Sequence, residues 1–68
     1  MDTLDFPDFK EAKRDVVEDF ERQYLERLIA RTSGNIAMGA GIAGLERHHL
    51  RSLLRKHGIS RSGERISA

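Results

Sequence analysis

The sequence predicts an all-α fold: one long N-terminal helix, then two short helices joined by a tight turn. Three observations carry this. Residues 8–32 hold neither Gly nor Pro, and their apolar residues recur at three- and four-residue spacing. Gly34, Gly44 and Gly58 fall where helices should stop. Neither "RTSGNIAM" nor "LERHHLRSLLRKHG" reads as a strand.

Residues 1–7 are expected to be a flexible start. Asp8 and Glu11 have the D-x-x-E spacing of a capping box, which satisfies free amides at a helix start, and Pro7 precedes it. From there Phe9, Ala12, Val16, Phe20, Tyr24 and Leu28 form one apolar stripe, widened in the second half by Val17, Leu25 and Ile29. Glu18 and Arg22 stand in the favourable i,i+4 order. The pattern allows either one helix or a break in two near residues 18–21. So long an apolar face exceeds what a small chain covers by itself. It is expected to be shared between the chain's own core and a homodimer seam, with Phe9, Val16, Phe20, Tyr24 and Leu28 as the dimerisation residues.

"TSGN" ends this helix. Gly34 suits a left-handed C-terminal position, and Asn35 suits an N-cap. A short helix over 36–43, a turn at Gly44-Leu45 and a helix over 47–57 follow. Gly58 closes the last helix, with Lys56 and His57 in its final turn where cations favour the dipole. Ile36, Ala43, Leu45, Leu50, Leu53 and Leu54 are the expected core of the short helices, and small Ala40 lets them approach. Residues 60–68, polar and small, are expected to be a disordered tail. The folded domain is then residues 8–59.

"GAGIAG", Gly39 to Gly44, matches the G-x-G-x-x-G string of dinucleotide-binding domains. That string works only in a turn that leaves a strand and opens a helix, within a unit of about 30 residues. No strand precedes Gly39, and 68 residues cannot hold two such units. Gly44 is instead the turn glycine, supplying a positive φ. Gly39 and Gly41 are helix residues that complete the string by chance.

Composition bounds the function. With 68 residues, 38% of them apolar, the chain is a single small domain, of a size that often gains stability by associating. It has no cysteine, hence no disulfide and no thiolate metal site. No apolar run approaches a membrane span, and the acidic start "MDTLDFPDFK" lacks a signal peptide's basic and apolar regions. A soluble, cytoplasmic protein is expected. Net charge is +1, but residues 1–34 hold six Lys/Arg against nine Asp/Glu, and residues 35–68 six against two. The C-terminal half therefore suits a polyanion.

Two short helices with a Gly-containing turn make a helix-turn-helix. At 100° per residue, Leu50, Leu53, Leu54 and His57 share one side of the second, while Arg47, His48, His49, Arg51, Ser52, Arg55 and Lys56 occupy the rest. Apolar behind and donors in front is what a recognition helix needs, with arginine able to make a bidentate contact to guanine.

The segments "FKEAK", "FERQYLE", "GN" before an apolar residue, and G-L-x-R-x-x-L-x-x-x-L-x-K-x-G-I together resemble a known family. Over residues 8–59 the chain is similar to the Fis-type DNA-binding domain at the C-terminus of NtrC-family, sigma-54-dependent activators, many of them two-component response regulators. The resemblance implies a Fis-like homodimer formed through the N-terminal helical region, binding a palindromic site in double-stranded DNA. It implies base contacts from Arg47, His49 and Ser52, and backbone contacts from Asn35, Arg51, Arg55 and Lys56. It also implies a bacterial, nucleoid-associated protein that reaches sigma-54 RNA polymerase through upstream domains. Ala37, Met38, Gly39, Gly41 and Glu46 depart from the family's usual residues. Met38, Gly39, Gly41 and Glu46 motivate the alternative of a dimerisation or protein-docking module with weak or lost DNA binding; a free-standing Fis-like nucleoid protein, without the upstream domains, is a further alternative.

No enzyme and no cofactor is expected, because no nucleophile has an identifiable base and orienting partner. His48 and His49 point about 100° apart on a helix, and neither has a His or carboxylate at i+4, so no metal site is expected.

Overall fold

A computed structural model describes residues 6–60. Those residues form three helices and no strand: α1, Phe9–Thr32; α2, Ile36–Ala43; and α3, Arg47–Lys56. Residues 1–5 and 61–68, the outer parts of the expected flexible start and tail, lie outside the described residues. Ser60, the first residue of that expected tail, is described and half-buried.

The long helix runs unbroken. Asp8 caps it, its Oδ1 accepting from the Glu11 amide at 2.8 Å. Across the segment where a break was open, Asp19 accepts from Arg22 and, at 2.9 Å, from the Gln23 amide nitrogen. Such i,i+3 and i,i+4 pairs support continuity where propensity alone is neutral.

Each helix ends in a left-handed residue whose successor donates back over five residues, the 6→1 bond that satisfies a free carbonyl. Gly34 N–H reaches the Ile29 carbonyl at 3.1 Å, Leu45 the Ala40 carbonyl at 2.9 Å, and Ile59 the Leu54 carbonyl at 2.9 Å. Two of the left-handed residues are glycines, Gly44 at φ 71° and Gly58 at φ 64°. At the end of α1 the position is taken by Ser33, φ 53°, with Gly34 next at φ 80°. The expected glycine thus sits one residue beyond the first left-handed position.

Leu25, Leu28 and Ile29 of α1 meet Ile36 and Ala40 of α2, Leu50 and Leu54 of α3, and Ile59; Ala43, Leu45 and Leu53 pack at the edge. Thr32 is buried among them, its hydroxyl donating to the Leu28 carbonyl at 3.0 Å. Leu28, expected at a dimer seam, is therefore committed to the core of its own chain. Gly39 is buried as well, and a Cβ there would lie 3.4 Å from Leu50 Cδ2 and 3.6 Å from Leu28. It stands where all three helices converge, so its place in the string has a packing role.

The helical wheel of α1 separates into two apolar faces. Leu25, Leu28, Ile29 and Thr32 bury one side. Phe9, Val16 and Phe20 point well over 100° from the centre of that side and Tyr24 about 90°, and the four are 82%, 69%, 63% and 39% exposed. Every residue of α1 that is fully buried lies at Leu25 or beyond. Its first half carries an apolar stripe that nothing among the described residues covers.

Candidate nucleic-acid interface

Helix α3 holds four Lys/Arg and no carboxylate. Its separation of faces follows from the core: Leu50 is fully buried, Leu54 nearly so and Leu53 half-buried, which turns the opposite side to solvent. Arg47, His48, Arg51, Ser52 and Arg55 are exposed on that side. Gly44 sets the angle between α2 and α3 through its positive φ, and Leu45 closes the turn against the core edge.

The basic residues do not share one environment. Arg47, His48 and Arg51, with Glu46 beside them, line a concavity of about 540 Å³ between α2 and the start of α3, together with Ala37, Ala40 and Gly41. Arg55 projects from the middle of the outer face. His49 and Lys56 lie on the α1 side. His49 lines an apolar groove of about 300 Å³ with Phe20, Tyr24, Leu25 and Leu53. Lys56 Nζ is 3.4 Å from Glu21 Oε1. Asn35 is at the far end of α2, where its side-chain oxygen accepts from the Met38 amide at 3.0 Å. Its cap function leaves the amide NH₂ as the group that can meet a phosphate.

The same Glu21 oxygen accepts from His57 Nε2 at 2.9 Å, and the His57 side chain is only 8% exposed. A carboxylate acceptor fixes the proton on Nε2. The hydrogen bond from His57 holds the Glu21 carboxyl below its ordinary value; partial burial opposes this, and Lys56 reinforces it. This contact spans 36 residues and ties the end of α3 to the middle of α1. Sequence reasoning placed His57 on the core side and missed its partner, because Glu21 looks like one more surface glutamate on a charged helix.

Glu46 is the N-cap residue of α3, but its side chain makes no capping bond. It turns instead toward His48, with Oε2 3.4 Å from Nδ1 on two largely exposed side chains. The first amides of α3 are therefore free of a side-chain acceptor, the condition in which a helix start takes an anion.

Among the described residues no helix is long and apolar enough to cross a membrane. A scan against protein-family models, a search of curated proteins and a search of solved structures each return no match. The class defined by fold and surface is a small all-α domain with an amphipathic basic third helix and an uncovered apolar stripe on its first.

Proposed function

We propose that the chain is a dimeric helix-turn-helix module that binds double-stranded DNA, with α3 as its recognition helix. The observation that carries this is the charge and burial of α3: a buried leucine face backed by Arg47, Arg51 and Arg55, with no carboxylate within the helix itself and Glu46 at its N-cap turned to His48. The preceding short helix, the left-handed turn at Gly44 and the free amides at the start of α3 support it. So do the Fis-type segments of the sequence, which extend the reading to a bacterial transcription regulator acting with sigma-54 RNA polymerase.

The residues divide by task. Arg47 lies at the N-terminal end of α3, the part that enters a major groove deepest, and is assigned to base readout with His48 and Ser52. Arg51 and Arg55 are assigned to phosphates. Phosphate contacts position a protein, while base contacts specify sequence. The uncovered stripe of Phe9, Val16, Phe20 and Tyr24 forms the seam between two copies, which would set two α3 helices one turn of DNA apart, about 34 Å.

The test is selection of preferred duplexes from a random pool, followed by binding of two variants. Arg47→Ala should lose about 1–3 kcal/mol on the selected site and little on random DNA. Arg55→Ala should weaken both about equally. Failure to enrich any sequence, with no change for either variant, would replace this reading with a protein-docking module.

A further inference from the structure

Residues 35–60 carry four Lys/Arg and one carboxylate, Glu46. That carboxylate does not stand at the margin of the basic surface. It directly precedes Arg47, at the end of α3 that enters a major groove deepest, and lines the concavity shared by Arg47, His48 and Arg51. The helix dipole favours an acid at this end, but the side chain bonds to none of the first amides of α3. It is 78% exposed and lies along the outer face, with Oε2 3.4 Å from His48 Nδ1. No lysine or arginine among the described residues forms an ion pair with it.

A carboxylate only accepts hydrogen bonds. Phosphates repel it, so it adds nothing to attraction for the DNA backbone. The base edges of the major groove treat it unequally. Guanine presents two acceptors, N7 and O6, and thymine an acceptor and a methyl group. Adenine sets an N7 acceptor beside its amino group. Cytosine presents its N4 amino donor with no acceptor next to it. We infer that Glu46 is a specificity-determining residue that accepts from the amino group of one cytosine in each half-site. The inference rests on the DNA-binding reading above and adds a base preference that arginine cannot supply. Arg47, a donor fork, suits guanine; Glu46, an acceptor beside it, suits cytosine. At the wrong base the carboxylate loses its water and gains no donor, which is costly. Its repulsion from phosphates also weakens binding to duplexes that lack the cytosine. One side chain thereby strengthens the right site and penalises the rest.

Selection of duplexes from a random pool, by the wild type and by two variants, tests this. The wild-type site should hold one position per half-site where replacing cytosine costs about tenfold in affinity. Glu46→Gln should lose that preference and accept adenine there, because a glutamine amide matches adenine N6 and N7. On random duplex the same variant should bind roughly two- to fivefold tighter at low salt, having lost one negative charge per copy. A merely structural role would weaken both duplexes together. Glu46→Ser separates the roles further. Serine is a good N-cap, so the thermal midpoint should rise by about 4 °C while the cytosine preference disappears. A wild-type site without such a cytosine, a preference unchanged in Glu46→Gln, equal losses on both duplexes, or a lower midpoint in Glu46→Ser would each overturn the inference and leave DNA binding by α3 standing. A wild type that enriches no sequence overturns the inference and the recognition-helix reading together.

Discussion

The glycines of "GAGIAG" look equivalent in the sequence but should respond in opposite directions to alanine. Gly41 has a helical φ, is exposed, and would place a Cβ in open space with nothing within 4 Å. Gly41→Ala therefore changes only helix propensity and unfolded-chain entropy, and should stabilise by about 0.5–1 kcal/mol. At Gly39 the new methyl would rest on Leu50 and Leu28 at 3.4 and 3.6 Å, ordinary contact distances. Gly39→Ala should gain the same propensity plus the burial of one methyl, about 0.8 kcal/mol, whereas Gly39→Leu should overpack the helix crossing and destabilise by about 1–3 kcal/mol. At Gly44 the space is open, yet φ is 71°. Gly44→Ala should cost about 1–2 kcal/mol from the left-handed backbone alone. Thermal unfolding at a fixed protein concentration resolves these, since 1 kcal/mol moves the midpoint by about 4–8 °C in a domain of this size. A loss of stability in Gly41→Ala, or no loss in Gly44→Ala, would refute the conformations assigned to these two residues.

Other perturbations have equally definite outcomes. Leu50→Ala empties the centre of an eight-residue apolar cluster and should cost about 2–5 kcal/mol, enough to unfold much of the population by far-ultraviolet circular dichroism. Phe20→Glu places a charge on the exposed stripe beside Tyr24, whose ring centroid lies 5.9 Å away. It should give a folded monomer by sedimentation while leaving the core intact. Glu21→Gln removes a carboxylate whose proton affinity is lowered in the fold. A lowered carboxyl contributes stability above its unfolded value, about 4.3 for glutamate, and loses it as pH falls through the folded value. Wild type should thus exceed Glu21→Gln by about 1 kcal/mol at pH 7, and the gap should close below about pH 4 in urea titrations.

Much of the fold was legible because its signals are local. Asp8, Asn35, Gly44 and Gly58 each fix a helix end through bonds to residues no more than five away, and the structure places the ends within a residue of the expected positions. What escaped was non-local. Spacing put Leu28 on one stripe with Phe9, but a helix turns 100° per residue, so a stripe drawn by threes and fours drifts around the axis. Over 19 residues it passes from the outer face to the core. The Glu21–His57 contact depends on how α3 lies across α1, which no pattern within either helix encodes. Gly39 reads as a defect in a helix until Leu28 and Leu50 are seen beside it. For the site, the basic surface of α3 was legible from charge and leucine spacing. The division of that surface, with Lys56 and His49 turned toward α1 and Arg55 left outward, required the packed arrangement.

In the proposed function, α3 binds the DNA backbone electrostatically. Such binding is read from the affinity of the wild-type chain for a duplex across a series of salt concentrations. Arg51 and Arg55 from each of two copies would neutralise four phosphates, giving a log–log slope of about −3.6. Arg55→Ala, which removes two of those contacts, should bring it to about −1.8. An affinity that stays flat from low to physiological salt, or a slope unchanged in Arg55→Ala, would exclude DNA binding through α3.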